Sequence, residues 1–257
     1  MEYLTSQYRL NPRPKVILAV EGKGESEQFP RLLSALWGLT PGKLGIEIVN
    51  IGGSGNFVGN RRERLGAWAR LIDYHHHHNT VVFVVLDKLG KVEAVRDRLS
   101  EAQSHHDPER AIHKSQYFRI WDSTVELDNF GPHELAFAMT AVTGVEFESE
   151  EMADLQRRAR GSGVDELNAV CTRKFGKNYQ LDKARLLEIL VDYAIADPMY
   201  PSVEPWERHE PRGIVKLLQK VVAIATSNPQ PPGTTIRALN QRSGFFGDPY
   251  EKNELSP

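Results

Sequence analysis

Glu21 follows the apolar run Val16-Ile17-Leu18-Ala19-Val20, and Asp87 follows Val81-Val82-Phe83-Val84-Val85-Leu86. Short apolar runs of this kind, rich in β-branched residues, read as buried parallel strands. The ligand crevice of an open α/β sheet lies at the carboxyl ends of its strands, so a carboxylate placed there points into a site and not into a core. Adjacent strands would bring the two together. The chemistry open to such acids is that of hard cations, which take oxygen ligands. Asp87 has a second possible use as a helix cap, but Gly90 separates it from the helix expected from Lys91, and the spacing favours the metal role.

Two further acidic elements belong to the same argument. Glu25 lies just beyond Glu21 in Glu21-Gly22-Lys23-Gly24-Glu25, where Gly22 permits a tight turn and a close approach to a ligand. Glu25 then opens the next helix toward the same crevice, although a turn followed by a helix N-terminal carboxylate fits equally well. In Val125-Glu126-Leu127-Asp128-Asn129-Phe130, an extended backbone would send Glu126 and Asp128 to one side and Leu127 to the other. An acidic turn ahead of Pro132 is the plainer alternative.

The elements that must position these acids alternate through the first half of the chain. Strands are expected at residues 15–20, 46–51, 81–86 and 116–121, with helices at 26–36, 61–74 and 91–102. This is an α/β pattern: a mostly parallel four-stranded sheet with flanking helices. Beyond Asp128 only helices are expected, at 132–142, 150–160, 164–175, 182–196 and 213–226. The amphipathic faces at 182–196 and 213–226 suit packing on the sheet or on another chain, which leaves a homo-oligomer open. The division expected is a core over residues 1–128, a helical region over 129–228 and an irregular tail, rich in Pro, Gly and Asn, over 229–257.

Composition limits the function classes. At 257 residues with 40% hydrophobic and 26% charged content the chain can bury a sizeable core. Its formal charge of −2 argues against coating nucleic acid by bulk electrostatics. The single Cys171 excludes an internal disulfide framework and any multi-cysteine zinc site. The N-terminal stretch has no apolar signal core and no run is long enough to span a bilayer, so a soluble cytoplasmic protein without membrane contact is expected.

The order of these motifs resembles the Toprim domain of the OLD (overcoming lysogenization defect) family nucleases. It comprises a strand ending in Glu-Gly with a second Glu on the next helix, then Gly52-Gly53-Ser54-Gly55-Asn56-Phe57, then a strand ending in Asp87, then Glu126-Leu127-Asp128-Asn129-Phe130. The resemblance covers residues 15–128 and extends more loosely to about 196, where Lys183 matches the family's lysine. It implies a Toprim-like catalytic core over 1–128 and a metal-dependent endonuclease cutting DNA or RNA. Two Mg²⁺ or Mn²⁺ ions would supply the nucleophilic hydroxide and relieve charge on the leaving oxygen. Glu21 and Asp87 would hold one ion, Glu25, Glu126 and Asp128 would shape the second, and Lys183 would steady the phosphate or leaving group. The chain contains no Gly-x-x-x-x-Gly-Lys-Ser/Thr phosphate loop. A stand-alone Toprim protein of an anti-phage defence system, activated by a separate ABC-type ATPase, is therefore implied.

One departure stands out. Toprim domains generally carry Asp-x-Asp after the third strand, and here Leu89 stands where the second Asp is expected, leaving Glu126 or Asp128 to supply that ligand. A binding or regulatory module that docks an ATPase or nucleic acid without cutting is the alternative. For nucleic-acid binding the residues singled out are Lys23, Arg61, Arg62 and Arg64, although a solvated helix face also explains the arginines. The run His75-His76-His77-His78 lacks the spaced partners of a zinc site and is expected to form an exposed loop, as is His105-His106.

Overall fold

A computed structural model describes residues 14–53, 71–72, 74–75, 80–88, 118–160, 162, 164–201 and 210–226. Within these residues the strands are β1 (Val16–Val20), β2 (Ile46–Asn50), β3 (Val81–Leu86) and β4 (Phe118–Ile120). They form one parallel sheet in the order β2-β1-β3-β4. The register pairs Leu18 with both Ile48 and Phe83, and Val20 with both Asn50 and Val85. Glu21 and Asp87 therefore emerge side by side at the carboxyl edge of neighbouring central strands. Side chains alternate along a strand. Val16, Leu18, Val20, Phe83 and Val85 enter the main apolar core, and Ala19, Val82, Val84 and Leu86 are buried on the opposite face.

Helix α1 (Lys23–Trp37) returns from the end of β1 across that core. Phe29, Leu32, Leu33 and Leu36 recur at helical spacing and are all buried. The helix begins earlier than residue 26 because the Glu25 side chain reaches back to accept the Gly22 N–H at 2.7 Å, satisfying a donor at the helix start. Gly38 ends it in the left-handed conformation, φ 68°.

The second half is helical: α2 (Val125–Asn129), α3 (Pro132–Thr143), α4 (Ser149–Ala159), α5 (Glu166–Phe175), α6 (Lys183–Ala196) and α7 (Gly213–Thr226). The buried faces of these helices and the sheet form one apolar cluster. α6 lies along α1, with Arg31 of α1 reaching the Glu188 carbonyl and Asp192 of α6.

Two sequence expectations are corrected. Glu126 and Asp128 lie on α2 and not on an extended strand, because Thr124 caps a helical turn by accepting the Leu127 N–H at 3.4 Å. His75 is helical and half-buried and is not part of an exposed loop. The remaining histidines of that run, His105-His106, the helix at 91–102, most of the helix at 61–74 and the tail at 229–257 lie outside the described residues. So do Ser54, Gly55, Asn56, Phe57 and Leu89.

Candidate functional site

At the carboxyl edge of β1 and β3 the chain forms a cleft of about 450 Å³. Glu21, Glu25, Asp87, Glu126 and Lys183 all line it, with Lys23 and the glycines of two turns. Each arrives by a different element. Glu21 and Asp87 leave the ends of β1 and β3, Glu25 stands in the first turn of α1, Glu126 in the first turn of α2, and Lys183 is the first residue of α6.

Backbone hydrogen bonds knit these elements together at the acids themselves. Glu21 Oε2 accepts the Asp87 N–H at 2.9 Å, and Asp87 Oδ1 accepts the Val125 N–H at 3.0 Å. One line of contacts thus runs from β1 through β3 to the start of α2. Asp87 does receive a helix N–H after all, that of α2. On the other side, Gly53 adopts φ +100° while its N–H is donated to the Glu21 carbonyl at 2.8 Å, a left-handed turn that suits glycine. Asn50 Oδ1 accepts the Gly52 N–H at 2.7 Å and closes the same turn.

α6 enters the cleft because Gly24 lets it in. A Cβ on Gly24 would lie 3.3 Å from the Ala184 Cα and 3.4 Å from the Leu187 Cδ2. With no side chain there, the first turns of α1 and α6 touch, and Lys183 comes beside the acids. Its ammonium forms an ion pair with Asp165 at 2.7 Å. Asp165 is the cap of α5, accepting the Asn168 N–H at 3.2 Å and the Asn168 Nδ2–H at 2.6 Å.

The electrostatics are those of too many acids in too little water. Burial pushes the Glu25 carboxyl up to about 8; the Gly22 N–H opposes this, Glu126 and Glu21 add to it, and Lys183 offsets part of it. Burial, then repulsion from Glu126 and Glu25, holds Asp87 well above the usual carboxylate range despite the nearby Lys183. For Lys183 burial disfavours the charged form, but attraction from Glu126, Asp165 and Asp87 outweighs it and strengthens its hold on the proton.

Glu25 and Glu126 are 5% and 3% exposed, and Glu25 Oε1 and Glu126 Oε2 are buried without a hydrogen-bond partner. Buried polar atoms are ordinarily satisfied, so two orphaned carboxylate oxygens in one cleft call for a ligand. An oxygen-seeking divalent cation meets that need, and the donor set fits Mg²⁺ or Mn²⁺. Among the described residues no three His, Cys, Asp or Glu side chains stand close enough together to hold a metal ion between them. Mg²⁺ does not require such a trio, since it keeps several waters and takes one or two carboxylates.

Asp128 is not brought to the cleft. On a helix, residues two apart point to different sides. Asp128 instead accepts the N–H groups of Asp122 and Ser123 at 2.5 and 3.3 Å, fixing the turn ahead of α2. Burial holds its carboxyl above the ordinary value, and these two bonds offset only part of that rise. Lys23 lines the cleft with its side chain 74% exposed, 3.6 Å from Glu27. Arg61, Arg62 and Arg64 lie outside the described residues. Asp165 and Gly24 went unrecognised in the sequence. An Asp one residue before an amphipathic helix is a capping signal that points to Asp165, but nothing local in the sequence pairs it with Lys183.

No family model matches the chain, and no curated protein matches it. Among solved structures it is similar to the C-terminal region of the Burkholderia pseudomallei OLD protein, with 16% identity, TM-score 0.49, and coverage of 82% of this chain and 98% of that one. It is likewise similar to the C-terminal region of the Xanthomonas campestris pv. campestris OLD protein, with 13% identity, TM-score 0.47, and coverage of 83% and 95%.

Proposed function

We propose that the chain is a metal-dependent nuclease that hydrolyses phosphodiester bonds in DNA or RNA at this cleft. The observation that carries the reading is the convergence of Glu21, Glu25, Asp87 and Glu126 at the edge of the sheet, two of them with buried, unpartnered oxygens, beside the Lys183 ammonium. The Toprim order of the motifs in the sequence points the same way.

Glu21, Glu25, Asp87 and Glu126 are the groups that would hold one or two Mg²⁺ or Mn²⁺ ions. Bound there, the metal supplies a hydroxide nucleophile near neutral pH and charge relief at the leaving oxygen. The chain's own contributions are separable from that. Glu21 and Asp87 hold the strand ends in register through the Asp87 N–H, and the orphaned oxygens of Glu25 and Glu126 are preplaced for a cation, Glu25 giving up its proton on ligation. Lys183 places a fixed positive charge at the rim, where it can contact a non-bridging phosphate oxygen as charge develops. Lys23, exposed on the same rim, suits the neighbouring backbone phosphate. The family resemblance extends the proposal to its setting, an effector in anti-phage defence activated by a separate ABC-type ATPase.

The test is cleavage of plasmid, linear DNA and RNA with Mg²⁺ or Mn²⁺, comparing wild type with Glu21→Ala and Asp87→Ala. Each substitution is expected to reduce cutting by at least about a hundredfold, the scale of losing one electrostatic element of a site. Metal-dependent cutting that survives both would overturn the reading. One observation favours a second reading, a binding module without catalysis: Asp87 commits an oxygen to the Val125 N–H. That reading expects nucleic-acid or ATPase binding with no cutting under any metal.

A further inference from the structure

Lys183 is the more buried of two lysines lining an acidic cleft, and such a group has two possible fates. An ammonium on a four-carbon stem carries three donors and moves easily, so it can reach outward to a substrate phosphate or fold inward onto the acids. The inward pull is strong. Glu126 leads the acids that attract it, Asp87 adds to the attraction, and the buried Glu126 Oε2 has no hydrogen-bond partner. A lysine collapsed onto Glu126 would neutralise the oxygens a divalent cation needs.

Asp165 opposes that collapse. Its Oδ2 lies 2.7 Å from Lys183 Nζ, and both side chains are only partly exposed, at 23% and 30%. It is also an anchored carboxylate, since the Asn168 N–H and Nδ2–H hold its two oxygens, and Asn168 Oδ1 in turn accepts the Leu181 N–H at 3.4 Å. The cap of α5 and the start of α6 are thereby fixed to each other. We propose that Asp165 is a positioning residue that holds the Lys183 ammonium at the rim of the cleft and keeps it off the metal-binding carboxylates. The inference rests on the metal-dependent reading above and adds a residue that reading does not contain.

Asp165→Asn separates the two jobs of this side chain, because Asn remains a good helix cap while losing the charge that holds Lys183. The measurement is Mn²⁺ affinity of the purified full chain, read by electron paramagnetic resonance of free Mn²⁺, in wild type, Asp165→Asn, Lys183→Met and the double variant. Asp165→Asn is expected to weaken Mn²⁺ binding about fivefold, the scale of a partly exposed ion pair. In the Lys183→Met background the same substitution is expected to change affinity by less than about twofold, since Asp165 acts through the lysine. Asp165→Ser, also a capping residue, repeats the comparison, and thermal unfolding confirms that each variant is folded. Unchanged affinity in Asp165→Asn, or equal weakening in both backgrounds, overturns the inference while leaving the metal reading intact. A wild-type chain that binds no Mn²⁺ overturns both.

Discussion

A carboxyl buried among carboxyls keeps its proton past neutrality, and Glu25, held at about 8 against an ordinary 4.5, is in that position. Between those two pH values the folded chain retains a proton that the unfolded chain has released. The contribution of Glu25 to the stability of the metal-free protein is therefore present below about pH 4.5 and is lost as pH rises toward about 8. Glu25→Gln stays neutral throughout and still offers an acceptor to the Gly22 N–H. At pH 8 in chelator it is expected to be more stable than wild type by about 1–2 kcal/mol, a few °C in Tm, with the difference closing toward pH 4.5. Thermal unfolding across that pH range checks it, and a variant that loses stability at pH 8 would contradict the burial argument. Glu21 and Asp87 were legible in the sequence because an acid after an apolar strand has one place to go. Asp128 was misread because the pattern Glu-Leu-Asp alternates equally well on a strand, and only the Thr124 cap turns it into a helix. Asp165 was illegible for a different reason: its contact with Lys183 reaches across the whole of α5 and the segment that follows it, and such contacts leave no local pattern.

Most of the elements follow from periodicity, and the exception is instructive. α3 to α7 are long enough for an apolar stripe to repeat, whereas α2, at five residues, is too short for any period to show. Yet α2 carries Glu126, and what holds it comes from far along the chain. Asn129 donates to the Val125 carbonyl at 2.7 Å and accepts the Ile214 N–H, so it ties α2 to the first turn of α7. Arg212, 1% exposed, donates to the Asn129 carbonyl at 2.9 Å and makes a two-pronged pair with Glu134 of α3 at 2.8 and 2.6 Å. Removing one partner of a buried pair strands the other charge, so Arg212→Met is expected to cost about 3–5 kcal/mol in chemical denaturation. Replacing Arg212 and Glu134 together with Met and Leu should cost less than the single change, because no charge is stranded. Gly24 is the second hinge of the architecture. Gly24→Leu would force α1 and α6 apart where Ala184 now sits 3.3 Å from the site of a Cβ. A destabilisation of about 1–3 kcal/mol is expected from overpacking, together with a loss of cleavage larger than that of a surface substitution, because Lys183 moves with α6.

At the scale of the whole molecule, one cleft joins elements drawn from nearly the full described chain: β1, α1, β3, α2 and α6. The sheet order itself was not legible; the sequence said only that adjacent strands would bring Glu21 and Asp87 together, and β1 and β3 do pair. The formal charge of −2 held no such information, because a site's field depends on where acids gather and not on their sum. A cation bound at that junction would act on global stability, since it would bind the folded arrangement and find nothing comparable in the unfolded chain. At a hundredfold excess over its dissociation constant, a single ion adds about 2.7 kcal/mol. For a chain of this size that corresponds to a rise of roughly 5–10 °C in Tm. The rise has a predicted pH dependence. Glu25 must surrender its proton to ligate, so Mg²⁺ competes with a proton below about 8 and stabilises less at pH 6 than at pH 8. Thermal unfolding with Mg²⁺, with chelator, and with NaCl at matched ionic strength separates site binding from screening. The Glu21→Ala/Asp87→Ala double variant should unfold at the same temperature in all three. A Mg²⁺ shift that persists in that variant, or one that grows as pH falls, would place the cation elsewhere on the molecule.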